Sequence, residues 1–370
     1  MSANSHQFSD DSWRFADGEL PESLQTLAEN MNLETKRAEA QTSKILDVVS
    51  EQFKQGQMPQ DKANKLISEI GFYHQRIENL HQVWHMQIKE LKGTPLAKWV
   101  EKNPHRIDDH IFAASLIDVN NKLENMLWSQ CGAAVLTSAT LTALGNFNYF
   151  SRQVGLMNDE ATQFIQLTSP FEFEKAELYV PNISIAPNEQ GFTELLADKI
   201  PQLIPEKSAS LVLFSSYRQM NEVAEIIRSK TKLELLVQKE SARSEQLKQH
   251  AENVKQDKTS ILFGTSSLSE GLDLPGNLLT NLIITKIPFS VPTSPVEEAQ
   301  SEWISKSGGN PFMQISVPEA SKKLIQSCGR LLRKEQDSGR ITLLDRRVIS
   351  KRYGSALLNS LPPYKRNIEF

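Results

Sequence analysis

Residues 324–333 read LIQSCGRLLR. In a helix of 3.6 residues per turn, Gln326, Gly329, Arg330 and Arg333 stand at i, i+3, i+4 and i+7 and share one stripe. Leu324, Ile325, Cys328, Leu331 and Leu332 fall on the other side, which is apolar enough to pack on a sheet. The polar stripe presents an amide and two guanidiniums, with a glycine between them that leaves room for a ligand. Guanidiniums are always charged and match phosphate oxygens in a bidentate fork. The same pattern also describes an amphipathic surface helix with two solvated arginines. The surrounding sequence has to decide.

Around this stretch, from about residue 193 onward, short apolar runs alternate with helical patterns: LVLF at 211–214, LELLV at 233–237, SILFG at 260–264, LIITK at 282–286 and ITLLD at 341–345. Strands of four or five residues between helices predict a parallel sheet of βαβ units. Upstream, AAVLT at 133–137 reads as a short buried strand running into Ser138, Ala139 and Thr140. The carboxyl end of a strand is where open α/β sheets bind ligands, although Ser138 and Thr140 also suit helix capping. Between these regions, Pro181, Pro187 and APNEQG at 186–191 mark a connector. A second connector, PFSVPTSPVEEAQSEWISKSGG at 288–309, is long enough for a partly helical excursion.

The N-terminal part reads differently. Residues 1–20 have few apolar residues and predict a disordered or loosely docked tail. Apolar positions then recur at three- and four-residue steps over 24–53 and 63–88, with a break at GQMPQD, 56–61. This predicts a long antiparallel helical pair, either a coiled-coil dimer or an intramolecular insertion; the a/d pattern is irregular for the former. Trp99, Val100 and the run IFAASLI at 111–117 read as strands, with the polar turn NPHRIDDH at 103–110 between them.

The chain has 370 residues, 39% hydrophobic and 23% charged, a net charge of -4 and a pI of about 6.1. That is the composition of a folded protein of two or three domains. A nucleic-acid binder with this balance must localise its positive charge in a groove. No apolar run approaches the roughly 20 residues needed to span a bilayer. The polar opening MSANSHQFSDDSW has no signal-peptide pattern. The expected location is cytoplasmic, with no membrane partner. Two cysteines, Cys131 and Cys328, read as small core residues. They are too few for an iron–sulfur cluster.

Together the motifs carry a family resemblance. QSCGRLLR at 326–333 has the form Q-x-x-G-R-x-x-R and resembles motif VI of superfamily 2 helicases, which carries arginine fingers. GTSSLSEGLD at 264–273 resembles motif V, TSAT at 137–140 resembles motif III, and Phe214, Ser215 and Ser216 match motif IV. In this order and at these separations, the stretch from about 112 to 363 resembles the C-terminal part of the DinG helicases, bacterial relatives of the XPD family. The resemblance implies an α/β fold with a RecA-like second motor lobe over 174–365. It also implies the end of a first lobe with motif III over 93–165, and a helical arch-like segment over 21–92.

The roles follow from the same resemblance. Arg330 and Arg333 would act on the γ-phosphate, and Gln326 would position the attacking water or that phosphate. Glu270, Gly271, Asp273 and Gly329 would lie at the nucleotide, with loop capping as the alternative for Glu270 and Asp273. Thr265, Ser266, Ser215 and Ser216 would contact DNA phosphates. Ser138, Ala139 and Thr140 would couple hydrolysis to DNA movement. Gly264 would permit a tight turn. The implied substrates are ATP with Mg²⁺ and single-stranded DNA, at forks or related structures, with 5′ to 3′ movement in replication or repair.

Two elements of such a motor are missing from the sequence. There is no GxxxxGK[ST] phosphate cradle and no Mg²⁺-holding DEAH box. Asp108, Asp109 and His110 precede a strand and read as a solvated turn. His81 and His85 stand at i, i+4 without an HExxH glutamate, which leaves a zinc reading weak. The expectation is therefore a chain inactive alone, with the nucleotide-gripping half, and any iron–sulfur cluster, outside it. The competing reading is a non-catalytic nucleic-acid-binding or partner-docking module.

Overall fold

The computed structural model describes residues 5–9, 11–89, 93–106, 108–156, 160–269, 271–290 and 292–370. The chain folds as two units, Met1–Leu123 with Pro292–Pro311, and Glu124–Val291 with Phe312–Phe370. Among the described residues no helix is long and apolar enough to cross a membrane.

The first unit is built on helices Glu22–Lys54 and Gln60–Ile88, each starting just after a proline, Pro21 and Pro59. A proline that ends an extended approach suits a helix start, because it gives up no needed N–H. The two helices pair within the chain, so the periodic apolar pattern serves an intramolecular hairpin. Small or slender side chains lie buried on them, among them Ala28, Thr35, Val49 and Ala63. Across the seam Thr42 Oγ1 meets His74 Nδ1 at 2.8 Å, and His81 pairs with Glu39. His74 and His81 therefore serve helix pairing. Among the described residues no group of three or more metal-ligating side chains could hold an ion.

A four-stranded antiparallel sheet completes this unit, in the order β1 (Ser5–Ser9), β2 (Ser12–Phe15), β3 (Leu96–Lys102) and β4 (His110–Leu116). Residues 1–20 were expected as a tail, yet 5–9 and 12–15 are strands. Backbone pairing recruits them despite their polar composition, and Phe15 is buried. Arg14 is buried too, and its Nε and Nη1 donate to Glu298 and Glu302 at 2.8 and 2.7 Å. Those carboxylates stand on the helix Pro295–Lys306, which the 288–309 excursion supplies to this unit. Ser294 caps that helix by accepting from Glu297 N, and Pro295 takes its first position. β3 and β4 form an antiparallel hairpin, within the stretch 93–165 that the resemblance assigns to the end of the first lobe.

The second unit carries a seven-stranded sheet in the order β11-β5-β10-β9-β6-β8-β7. Every pairing in it is parallel. The five apolar runs become β6 (Ala209–Phe214), β7 (Leu235–Val237), β8 (Ser260–Thr265), β9 (Asn281–Ile284) and β10 (Gly339–Leu343). β5 (Ala176–Val180) and β11 (Lys365–Ile368) were not anticipated. β11 reads KRNI; it lies at one edge, where charged residues are usual. Successive residues of a strand face opposite sides. Leu211, Leu262, Leu282 and Ile341 pack with Leu324, Cys328 and Leu331 in one core, while Val212, Phe263 and Ile283 pack with Phe192, Met220 and Ile227 in the other.

Residues 133–137 do not form the expected strand. They run as irregular chain, with Val135 92% exposed, and Cys131 is exposed as well. A buried parallel strand needs a sheet on both sides, and no described strand pairs with this segment. Cys328 does lie in the core, where burial pushes its thiol up to about 12.

His250 is fully buried on the helix Arg243–Lys255. One ring nitrogen meets the Leu278 carbonyl and the other the Ser260 hydroxyl, each at 2.8 Å. The carbonyl can only accept, so Nε2 carries the proton and Nδ1 accepts from Ser260. Burial holds this imidazole below its ordinary value, outweighing the carbonyl contact. A folded-state value below the unfolded one gives stability that is complete above about pH 6.5 and declines as pH falls below it. The decline is at most about 1.4 kcal/mol per pH unit. Urea melts of wild type and His250→Gln should therefore converge between pH 7.5 and 5.5; a constant gap would contradict the buried neutral imidazole.

Candidate functional site

The carboxyl ends of β6 and β8 open into two serine-bearing segments. After β6, Ser215 and Ser216 are exposed. Ser216 also caps the helix Tyr217–Lys230, its side chain accepting from Gln219 N at 3.3 Å. After β8 the chain makes a four-residue helix, Ser266–Ser269. Ser266 and Ser267 are exposed. Thr265 is buried, and its N–H and hydroxyl both donate to Gln238 Oε1, at 2.9 and 3.1 Å. Thr265 therefore points into a local network, while Ser266 faces solvent.

Gly264 serves the tight turn out of the strand through its missing side chain. It lies inside β8, and a Cβ there would come 2.3 Å from Leu268 Cδ2 and 2.8 Å from Leu268 Cβ. Its missing side chain lets the serine helix fold back against the strand. Gly271 does need a left-handed backbone, at φ 67. A side chain there would begin 3.9 Å from Arg243 Nη2. Glu270 lies outside the described residues.

The helix expected over 324–333 is observed as Val317–Cys328. Gly329, Arg330 and Leu331 form a turn, and Arg333 lies beyond it. The apolar side packs as expected, with Leu324, Cys328 and Leu331 fully buried. The polar stripe is assembled by helix and turn together. Arg330 Nη1 and Arg333 Nη2 both donate to the Leu272 carbonyl, at 3.0 and 3.3 Å. Arg333 Nε stands 4.0 Å from Asp273. The turn is fastened by Asp337, a buried carboxylate that sequence reasoning missed. Its Oδ2 accepts from the N–H groups of Arg333 and Lys334 at 2.8 Å each, and its Oδ1 from Gly276 N at 3.1 Å. A lone Asp four residues after Arg333 gives no sequence signal of this.

Gln326 reaches the SAT segment, its Nε2 donating to Thr140 Oγ1 at 3.2 Å. Ser138 Oγ accepts from Thr140 N, so the segment makes its own turn. Nearby, Ser321 Oγ accepts from Leu144 N at 3.0 Å. Two guanidiniums, a glycine loop and an amide thus converge from segments far apart in sequence. A phosphoryl oxygen is a stronger acceptor for a guanidinium than a neutral carbonyl. The donor set is of a kind that can bind an anionic oxygen.

A second polar group joins Ser267 and Thr265 to Gln238, Tyr217 and Lys239, which no motif contains. Gln238, directly after β7, donates through Nε2 to Tyr217 Oη and Ser267 Oγ at 3.0 and 3.1 Å. Lys239 follows it, with its ammonium 3.9 Å from the centre of the Tyr217 ring.

The helicase C-terminal domain family matches residues 200–364. The ATP-dependent DNA helicase DinG of Photobacterium profundum is 53% identical over 364 residues, covering 97% of this chain and 53% of that protein. The ATP-dependent DNA helicase DinG of Escherichia coli is 31% identical over 359 residues, covering 95% of this chain and 50% of that protein. The chain spans about half the length of the curated relatives it matches. Among solved structures, an XPD helicase superposes with a TM-score of 0.50 at 15% identity, over 84% of this chain and 56% of that one. That likeness shows the shared fold.

Proposed function

As a chain related to the DinG helicases over almost its whole length and carrying a helicase C-terminal domain, this protein is, we propose, the second motor half of an ATP-dependent DNA helicase. The observation that carries the proposal is the convergence of Arg330 and Arg333 on the Leu272 carbonyl, in the loop that follows β8. In a motor of two lobes, nucleotide bound by one lobe is completed by cations from the other. Arginine fingers supplied this way accelerate phosphoryl transfer by about 10³ to 10⁵. Arg330 and Arg333 would hold the terminal phosphate and Gln326 the attacking water or that phosphate. The contact from Gln326 to Thr140 would pass the state of the nucleotide to the SAT segment.

ATP and its Mg²⁺ would be gripped chiefly by residues outside this chain, since its sequence has no phosphate-cradling GxxxxGK[ST] loop. Single-stranded DNA would run past Ser215, Ser216 and Ser266, moving 5′ to 3′ as the resemblance implies. The partner half would dock on exposed apolar chain. Val135, Ile165 and Leu167 are 92, 68 and 84% exposed in chain that joins no strand. Such apolar segments suit the sheet of a first lobe.

The test uses the purified 370-residue chain with ATP and single-stranded DNA. It should bind the DNA weakly, with strong salt dependence, and show no turnover. Adding a half that carries the phosphate cradle should restore DNA-stimulated hydrolysis. Turnover by the chain alone would overturn this division of labour.

A further inference from the structure

Lys239 occupies a backbone conformation that a lysine does not favour. Its φ is 76, in a tight turn after β7, and it is exposed. Left-handed backbone costs an L-residue with a side chain, while glycine adopts it without strain. The lysine that stands there is directed, with its ammonium 3.9 Å from the centre of the Tyr217 ring. The acid next to it does not cancel its charge, because Glu240 takes a two-pronged ion pair from Arg228, both contacts at 2.7 Å.

Gln238 sets the other end of the pair. Its amide makes all four hydrogen bonds such a group can make. Oε1 accepts from Thr265 N and Thr265 Oγ1, and Nε2 donates to Tyr217 Oη and Ser267 Oγ. The backbone N–H of Thr265 can only donate, so the orientation of the amide is determined. Thr265 has then used its hydroxyl proton. Ser267 Oγ stands 2.8 Å from Tyr217 Oη and 3.0 Å from Thr265 Oγ1. If the serine donates to the threonine, the tyrosine donates to the serine. If the serine turns to the tyrosine, the phenol O–H is released outward, beside the Lys239 ammonium.

We propose that Tyr217 and Lys239 clamp one phosphodiester of a single-stranded nucleic acid, with Gln238 as the positioning residue. The inference rests on the helicase reading above and adds to it a contact that lies between the motif IV and motif V segments and belongs to neither. Hydrogen bonding from Ser267 and Thr265, with the nearby lysine charge, holds the Tyr217 phenol below its ordinary range, which makes it a better donor. The Ser267 hydroxyl acts as a switch between an inward and an outward network.

The experiment measures binding of a fluorescent oligothymidine to the full chain across a salt series, with thermal melting alongside. Lys239→Ala should weaken binding about tenfold and lower the slope of log affinity against log salt by about 0.7, one released counterion on a single strand. Tyr217→Phe should weaken binding about fivefold with the slope unchanged. Lys239→Gly should bind as poorly as Lys239→Ala while melting no lower than wild type, because the left-handed strain is gone. Gln238→Ala should reduce affinity with the slope unchanged. Binding by Lys239→Gly and Tyr217→Phe within twofold of wild type, at an unchanged slope, overturns the clamp and leaves the helicase reading standing. Failure of the unsubstituted chain to bind the oligonucleotide overturns that reading and the clamp with it.

Discussion

If the proposed motor half is right, Arg333→Lys in the assembled motor is expected to reduce DNA-stimulated ATP hydrolysis by about 10³-fold, at the lower end of what an arginine finger contributes. Lysine keeps the charge but loses the planar fork. Arg333 spreads its contacts, donating to the Leu272 carbonyl with Nη2 while Nε faces Asp273. A point charge cannot serve two directions at once. The loss should fall on kcat, since the contact strengthens as charge develops on the transferred group. Folding should be little affected, within about 0.5 kcal/mol, because Arg333 is exposed and the turn is fastened through its backbone N–H by Asp337. Equal turnover by the two proteins, with equal melting, would remove the finger assignment.

Gly264→Ala should destabilise the second unit by about 2–3 kcal/mol, the cost of overpacking a filled core. A flexible side-chain tip could move aside, but here the Leu268 Cβ is itself within 2.8 Å. The backbone of Ser266–Ser269 must shift, and with it Ser266 and Ser267. The melting transition should fall by about 5–10 °C, and single-stranded DNA affinity should fall in the protein that remains folded. A melt indistinguishable from wild type would show that the serine helix does not rest on β8.

The parallel sheet was legible because buried strands leave continuous apolar runs, and each of the five runs found is a strand of it. β5, AELYV, escaped because Glu177 breaks its run; that carboxylate answers Arg340 and Asn367 on the two neighbouring strands. β11 escaped because an edge strand such as KRNI is held by backbone pairing. β1, an edge strand too, escaped for the same reason, and β2 escaped because its four residues, SWRF, include two polar ones, Ser12 and Arg14, that only the fold buries. The segment 133–137 misled in the opposite direction. Its apolar residues promise a strand, but a strand is a property of the sheet it joins. At the site, residue identities pointed to Gln326, Arg330 and Arg333, since their spacing on a helical stripe nearly matches where a helix and its terminal turn place them. The roles of Asp337 and Gln238 were invisible, because each acts on groups brought near only by the fold. Thr265 bonds Gln238 and Gly264 admits Leu268, contacts that their sequence neighbours do not announce.

The ion pairs of Arg14 bear on how the protein is made. Its two carboxylates lie 284 and 288 residues further along the chain. At a ribosomal rate of about 5–20 residues per second, the interval between synthesis of the cation and of its partners is roughly 15–60 s. The seven-stranded sheet is interrupted by the same helix, which leaves after β9 and returns before β10. Neither unit can therefore be finished before the ribosome has passed residue 306. The nascent chain carries both half-built cores together, and the two units mature late and nearly at the same moment.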